Sequence, residues 1–342
     1  MKNKKHIAVL LFFVLGFLVG CNQSDTSGEA GSEGETVSIQ LGHHHPANSQ
    51  VDQLANKLSE LTAEISDGDI DISVYPGGQL GEELEAIESI NMGSMDMSII
   101  SPGLMDDYSA LFGIETMPFL FDDWDHADRS LNGEVGEFLR DSLLESSSIR
   151  VMGYMHLGFR HMITTENHQI NGLDDMQGLS VRSPESWVWT RMFELLEANP
   201  TPVTWGEAYT ALQTGVVEGM ESPASGVIDM NFHEVTDHLF LSQHMFGTIS
   251  LVINESVYEG LSEQHKDIMI QAAEEAIDYT NEEVTRPDEE KSIIELEEEH
   301  DMTITEIDAI EKWREKVEPM YDEFIDRVPE SEEVFNMVEN ER

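Results

Sequence analysis

The sequence predicts an α/β fold with enough chain for two lobes. Its 342 residues are long enough to bury two separate cores. Residues 178–223 alternate short extended runs with amphipathic helices, which is the pattern of an α/β unit. Hydrophobic residues make up 40% of the chain and recur at strand and helix periods along it. This periodicity argues against a disordered acidic protein, despite a net charge of −50.

Residues 1–21 have the pattern of a bacterial lipoprotein signal peptide. A basic start (Lys2, Lys4, Lys5) precedes an apolar run at 8–18 that is too short to span a bilayer securely. The letters LVGC that end at Cys21 then resemble a lipobox. We expect cleavage before Cys21 and a diacylglyceryl group on it, whose two chains suffice for stable anchoring. A plain signal peptide and an uncleaved anchor are the alternatives.

Composition limits the partners and the habitat. Residues 22–36 are rich in Ser, Gly and Glu and are predicted to form a flexible tether. The strong negative charge repels itself at low salt, and this repulsion fades at molar salt, where the Debye length is about 3 Å. We therefore expect a saline, halophilic setting and no nucleic acid partner. A single cysteine allows no internal disulfide.

The first half of the chain is predicted to hold four strands and two of the longer helices. Period-two alternation and buried apolar runs indicate strands, and apolar stripes indicate helices. The predicted strands are 37–41, 70–75, 95–100 and 150–157, and the predicted helices are 49–66 and 125–144. His43, His44 and His45 follow the first strand. Neighbours on an extended chain point to opposite faces, so at most two of them can share a metal ion, and we predict no metal site.

The second half is predicted to begin with a strand, a helix, a short extended piece and a second helix that ends at Gly215. A later strand, a very long helix and a set of closing helices complete the chain. Pro287 lies inside the long helix and is expected to bend or break it. The predicted ranges are 179–182, 187–196, 198–204, 207–214, 250–254, 262–299, 302–304 and 306–335.

Arg182 is the residue whose position calls for an explanation. It stands at the carboxyl end of a predicted strand, where open α/β sheets place their ligand crevice. The planar guanidinium can make two parallel charge-assisted hydrogen bonds to a carboxylate. The alternative is an arginine paired with one of the many acids nearby, and the residues alone leave both interpretations open.

Three stretches of sequence then carry a family resemblance. DDMQGLSVRSP and EANPTPVTWGEAYTALQTGVVEGMESP in the second half, and YPGGQLGEELEAIESINMGSMDMSIISPG in the first, resemble the DctP-type solute-binding proteins of TRAP (tripartite ATP-independent periplasmic) transporters. The resemblance covers about residues 37–318. It implies a two-lobed, periplasmic-binding-protein-like fold with a long helix spanning both lobes and the ligand cleft between them. Lobe I would comprise 37–157 and 248–287, and lobe II 158–247 and 288–342.

The resemblance also implies a set of ligand-binding residues in the cleft. Arg182 is expected to clamp the ligand carboxylate with Arg160 beside it, unless Arg160 is satisfied by Glu166 or a backbone carbonyl. The remaining candidates are expected to tune selectivity: Trp205, His44 with His43 beside it, Glu185, Ser222 and Ser101. Ser222 stands where the family often has asparagine. Ser101 and Leu104 stand where some relatives carry a charge, which counts against a large polyhydroxylated, zwitterionic ligand and leaves a smaller or more apolar acid open, whereas Glu185 keeps zwitterions open.

The function implied by the resemblance is transport without chemistry. The protein is expected to sit on the extracytoplasmic side of the membrane, bind a small organic acid, and deliver it to the small and large TRAP membrane subunits. No cofactor is expected. The alternatives are a binding protein that presents its ligand to a sensor kinase and, through His43–His45, a metal-dependent hydrolase. Which acid is bound stays open among C4-dicarboxylates, hydroxy, keto, sugar and aromatic acids, and ectoine-like zwitterions.

Overall fold

The computed structural model describes residues 36–307 and 309–342, and Thr36–Arg342 form one compact unit. The expected signal peptide, the lipidated Cys21 and the tether as far as residue 35 lie outside the described residues. Within the described part, no helix combines the length and the apolar character needed to cross a membrane.

One mixed sheet runs through the described chain. Its strands are β1 (Val37–Gly42), β2 (Ile70–Tyr75), β3 (Met97–Ile100), β4 (Ile149–Thr164), β5 (Ser180–Ser183), β6 (Asn199–Pro202), β7 (Gly219–Pro223), β8 (His238–Asn254) and β9 (Thr303–Glu306). They lie in the order β2-β1-β3-β8-β4-β7-β5-β6, and β9 pairs with β8. The outer pairs β1–β2 and β5–β6 are parallel, whereas β4 and β8 are antiparallel to each other.

The helices cover both faces of this sheet and the C-terminal part of the chain. They are α1 (Gln50–Ile65), α2 (Glu83–Met92), α3 (Trp124–Asn132), α4 (Glu134–Ser146), α5 (Trp187–Leu195), α6 (Ala208–Gln213), α7 (Ala224–Asp229), α8 (Glu255–Gly260), α9 (Glu263–Tyr279), α10 (Arg286–Glu298), α11 (Ile310–Val317), α12 (Pro319–Arg327) and α13 (Ser331–Asn340). The helix predicted at 125–144 is thus two helices, α3 and α4, which meet at Gly133.

The two long strands connect the halves of the molecule. The predicted strands 150–157 and 250–254 are too short, because β4 and β8 stay paired from Ile149 opposite Asn254 to Thr164 opposite His238. The pair absorbs three register shifts, one of them between His156 and Gly158. A β-bulge lets a strand bend without ending, which a sequence pattern cannot show. As a result Arg160 lies on a strand and not in a loop.

Pro287 neither breaks nor ends the long helix. The chain is helical from Glu263 to Glu298, with a π-helical segment at Thr280–Thr285 between α9 and α10. Proline lacks an N–H and crowds the preceding turn, and the wider π turn makes room for it. The hydroxyl of Thr285 donates to the carbonyls of Thr280 and Asn281 at 3.3 Å each, which adds side-chain hydrogen bonds to the main-chain bonds of this segment.

The apolar side chains form three clusters, two of which belong to opposite halves of the sheet. The first-half core contains Ile39, Leu54, Leu251 and, from α9, Ala276. The second-half core contains Ile163, Phe232, Leu239 and, from α10, Leu296. A third and larger cluster joins α2–α5 to α11–α13, with Phe112, Phe193 and Trp313 fully buried in it. The long helix therefore packs against both halves, as a spanning helix should.

Candidate functional site

A cavity lies where the two halves of the sheet meet. It holds about 590 Å³ of atom-free space, open solvent at its mouth included. Its lining comes from strand ends, from α1, α2, α5 and α7, and from the loops beside them. The lining residues are His44, His45, Gln50, Val51, Glu83, Ser101, Leu104, Leu157, Arg160, Arg182, Pro184, Trp189, Trp205, Pro223, Ser225, Gly226 and Asp229.

Arg182 projects into this cavity from β5 and is 3% exposed. Its Nε donates to the carbonyl of Val203 at 2.8 Å, and its guanidinium carbon lies 5.5 Å from the Trp205 ring centre. Neither terminal nitrogen has an acceptor among the described residues, and no carboxylate forms an ion pair with Arg182 there. Burial lowers the pKa of Arg182 to about 10, so the group stays charged at neutral pH.

Arg160 lines the same cavity, but a carboxylate already holds it. Its Nε and Nη2 form a two-point ion pair with Glu221, and the Nη2–Oε1 distance is 3.0 Å. Glu221 comes from β7, where it stands opposite Met162 in the β4–β7 register. Burial acts to raise the pKa of Glu221, but the charge and hydrogen bonds of Arg160 outweigh it and hold that pKa below the usual value. The partner is thus neither Glu166 nor a backbone carbonyl.

Two of the three adjacent histidines reach the cavity. His44 and His45 line it with rings 4.2 Å apart, while His43 points away and its Nε2 lies 3.2 Å from Asp52 Oδ1. Burial, with the charges of His43 and Arg182 adding to it, lowers the pKa of His44 to about 3. His44 is therefore neutral and can donate or accept one hydrogen bond at each ring nitrogen, according to its tautomer. Among the described residues no group of three potential ligands is arranged around a metal site.

Glu83 is a cavity residue that sequence reasoning missed. One carboxylate oxygen accepts from the Ser101 main-chain N–H at 2.8 Å, and the other lies 3.5 Å from His44 Nε2. The available signal was the buried face of α2, since Glu83 is one helical turn before the buried pair Ala86 and Ile87. The same interactions bring the predicted residues Ser101 and His44 together on one wall of the cavity.

Two tryptophans form the apolar part of the lining. Trp205 is 7% exposed and Trp189 is 3% exposed, and neither indole Nε1 has a hydrogen-bond partner among the described residues. Trp205 was predicted to line the cleft, and Trp189 of α5 lines the same cavity. Gly103 explains why Trp189 reaches the cavity wall: a Cβ on Gly103 would stand 2.4 Å from the indole ring, so only glycine leaves room.

Two predicted residues lie outside the cavity lining. Glu185 is exposed and lines an outer groove at the cavity mouth, together with Glu82, Glu83 and Glu207. Ser222 is fully buried, and its hydroxyl donates to the carbonyl of Pro223 at 2.8 Å. The structure thus brings Arg182, Arg160, Trp205, His44 and Ser101 together and leaves Glu185 and Ser222 out.

Comparisons with known proteins agree with this geometry. The family model for bacterial extracellular solute-binding proteins, family 7 (DctP), matches residues 41–327. A sialic acid-binding periplasmic protein from Vibrio cholerae is 28% identical over 87% of this chain and 92% of its own length. A C4-dicarboxylate-binding periplasmic protein from Rhodobacter capsulatus is 28% identical over 92% of this chain and 94% of its own length.

Solved structures show the same fold with acids bound. A sugar acid binding protein from Advenella mimigardefordensis in complex with galactonate has a TM-score of 0.86 and 28% identity, covering 90% of this chain and 99% of its own. A TRAP periplasmic solute-binding protein from Sulfitobacter with bound β-D-galacturonate has a TM-score of 0.84 and 25% identity, covering 89% and 99%. The two-lobed solute-binding fold, with its long spanning helix, is thereby confirmed for this chain.

Proposed function

The chain belongs to family 7 of the bacterial extracellular solute-binding proteins, and on that premise we propose that it captures a small organic acid in the cavity and delivers it to the membrane subunits of a TRAP transporter. The observation that carries this proposal is Arg182, a buried cation whose two terminal nitrogens face the cavity without an acceptor among the described residues. A ligand carboxylate would supply the missing acceptors.

The free energy available from such a contact is substantial. A buried charge without a partner destabilises the folded protein through its desolvation free energy, and a bound anion would offset that cost. Each hydrogen bond to a charged group contributes about 1.5–3 kcal/mol. Two parallel bonds from Arg182 to one carboxylate would thus supply a large share of the affinity of a micromolar ligand, which is about 8 kcal/mol.

The rest of the lining favours a hydroxylated monocarboxylate. Glu83 and Asp229 would repel a second carboxylate, and the charge of Arg160 is compensated by Glu221. Neutral His44 and the carboxylate of Glu83 suit hydroxyl groups, and the tryptophans suit the apolar face of a sugar ring. We therefore place sugar acids first among the acids that the sequence left open.

The two expected alternatives gain no support from the relatives. Those named above are binding proteins, and none is named as a hydrolase or as a partner of a sensor kinase. Members of this family are extracytoplasmic. For this chain we further propose anchoring through a lipid on Cys21, two lobes with the bounds given above, and adaptation to salt.

A thermal-shift screen tests the binding proposal. The protein is melted at high salt with sugar acids, C4-dicarboxylates and keto acids, and a ligand at about 1,000 times its dissociation constant should add about 4 kcal/mol of stability. Arg182→Ala should abolish the shift, since both carboxylate hydrogen bonds are lost. Arg129→Ala, an exposed arginine on α3, is the matched control and should keep it.

The ligand-free melting temperature separates a binding residue from a folding residue. Arg182→Ala removes a buried charge that has no ion-pair partner among the described residues, so the ligand-free protein should melt within a few degrees of the wild type. A shift that survives in Arg182→Ala would overturn the assignment of this residue.

A further inference from the structure

Gln50 is a cavity residue that joins α1 to α10, two helices that are far apart in sequence. It stands in the first turn of α1, lines the cavity, and is 6% exposed. Its side-chain Nε2 donates to Asp288 Oδ2 at 2.8 Å. Asp288 stands in the first turn of α10 and also accepts from the hydroxyl of Ser292 at 3.1 Å, which holds its carboxylate in place. The Gln50–Asp288 hydrogen bond therefore has a fixed acceptor.

The two helices that carry this bond belong to different cores. The buried face of α1, with Val51 and Leu54, packs in the first-half core, whereas Leu296 of α10 packs in the second-half core. Between α9 and α10 lies the π-helical segment, where Asn281 accepts from the main-chain N–H of His156 on β4 at 2.9 Å. If the halves separate about this segment and the paired strands β4 and β8, the Gln50–Asp288 bond must break.

The main chain of Gln50 faces a second carboxylate from the same half as Asp288. Asp229 ends α7, whose Val227 packs in the second-half core, and it lines the cavity beside Gln50. Burial raises the pKa of Asp229 to about 6, while the backbone N–H of Gln50 opposes the rise and Asp288 adds to it. The start of α1 is thus held between two carboxylates of the other half, where the helix dipole favours negative charge.

We infer that Gln50 is a closing latch: a positioning residue that ties α1 of the first-half core to α10 of the second-half core and so stabilises the closed protein around its ligand. The inference rests on the proposed binding function and extends it, because it concerns how long a captured acid stays and not how its carboxylate is held. A bond that exists only in the closed form shifts the equilibrium toward closure by its own free energy, whichever acid is bound.

Dissociation kinetics test the latch. D-galacturonate is the probe, and its release from the full-length protein is followed by stopped-flow tryptophan fluorescence, since Trp189 and Trp205 line the cavity. Gln50→Ala should raise the dissociation rate by about tenfold, the effect of one hydrogen bond to a charged group, and leave the association rate nearly unchanged. Gln53→Ala, an exposed glutamine one turn further along α1, is the matched control and should match the wild type.

A double-mutant cycle between Gln50 and its acceptor Asp288 distinguishes loss of this hydrogen bond from a general packing defect. Asp288→Asn should also speed release, and the double variant should release the probe little faster than either single variant, because both changes remove the same bond. Asp267→Asn, an exposed acid on α9, controls for the loss of one charge. Fully additive effects, or a dissociation rate in Gln50→Ala equal to that of the wild type, would overturn the latch.

A ligand-free measurement keeps the latch testable if the binding proposal fails. Opening exposes Trp189 and Trp205, which are nearly buried in the closed cavity, so acrylamide should quench the fluorescence of Gln50→Ala more than that of Gln53→Ala. If no acid in the screen binds the wild type, the proposed ligand class is wrong while stronger quenching still supports the latch. Equal quenching in the two variants, with no acid bound, would overturn the latch as well.

Discussion

Two arginines face the same cavity, and their surroundings give them different tasks. Arg160 on β4 is tied at two points to Glu221 on the neighbouring strand β7, and Glu221 is fully buried. Arg182 on β5 has only the Val203 carbonyl on its Nε, and its terminal nitrogens have no acceptor in the described chain. The two side chains are chemically identical, so the presence or absence of an ion-pair partner distinguishes them. Arg160 has a structural role in the cavity wall, whereas Arg182 is available to bind an anion.

The difference extends to the strands that carry the two residues. β4 runs through both halves and pairs with β8 over most of its length and with β7 from Arg160 to Thr164, so the charge of Arg160 must be compensated within the fold. β5 has four residues and ends beside the cavity, which is lined by Arg182, its next-to-last residue. An uncompensated charge is thus confined to a strand end, as expected for ligand sites in α/β sheets.

Removing the partner of Arg160 should have the largest effect. Glu221→Ala leaves Arg160 buried without its carboxylate, and breaking a buried ion pair from one side typically costs about 3–5 kcal/mol. We expect the free energy of unfolding in urea to fall by that amount in the absence of ligand. Glu297→Gln, an exposed acid on α10, controls for the lost charge. A loss below about 1 kcal/mol would mean that the pair is not what fixes Arg160.

A pH titration should give a stability effect of intermediate size, and the effect should have opposite signs for Asp229 and for Glu221. The pKa of Asp229 is raised to about 6 by burial, with Asp288 adding to the rise and the Gln50 N–H opposing it, whereas the usual value is about 3.9. The folded protein therefore holds this proton more tightly than the unfolded chain. The contribution of Asp229 to stability must then improve as pH falls from about 7 to 4. Glu221, whose pKa is lowered, loses its contribution on acidification.

Asp229→Asn isolates this contribution from the many other acids. The variant should be more stable than the wild type by about 1–3 kcal/mol at pH 7.5, and the difference should shrink to a few tenths of a kcal/mol near pH 4, where Asp229 is protonated in the folded protein and about half protonated in the unfolded chain. Urea unfolding at four pH values between 4 and 7.5 measures it. A stability difference that does not change with pH would show that Asp229 titrates normally in the folded protein.

The sequence predicted the local elements that depend on short patterns. β1, α1 and β2 lie within a residue or two of their predicted ranges, because alternation and an apolar stripe determine them within a few residues. The lengths of β4 and β8 depend on pairing between residues about ninety positions apart, and no local pattern records it. The same holds for the π-helical segment before Pro287, which no local sequence pattern marks.

The site residues divide in the same way into those that a local pattern predicts and those that depend on long-range contacts. Arg182 could be predicted because a strand end and a following proline mark its position, and the family resemblance supplied the other candidates. The Arg160–Glu221 pair could not be predicted, since Glu221 stands sixty-one residues away and reaches Arg160 through the sheet register. Asp229 and Gln50 carry no motif at all. They meet because α7 and α1 approach the cavity from opposite halves, which only the tertiary structure shows.

Substitution of Glu185 should have the smallest effect on binding, and it tests where the binding site ends. Glu185 lies three residues after Arg182, the residue predicted to bind the carboxylate. It is exposed in the groove at the cavity mouth, so water screens its charge from a bound acid. Glu185→Gln should change the dissociation constant for D-galacturonate by less than about threefold at high salt, within the small range of exposed charge interactions, and should tighten binding because a like charge is removed. Glu194→Gln, an exposed acid on α5, is the control. A loss of tenfold or more would place Glu185 against the ligand, which would require the mouth to close further than in this structure and would bring zwitterionic acids back into consideration.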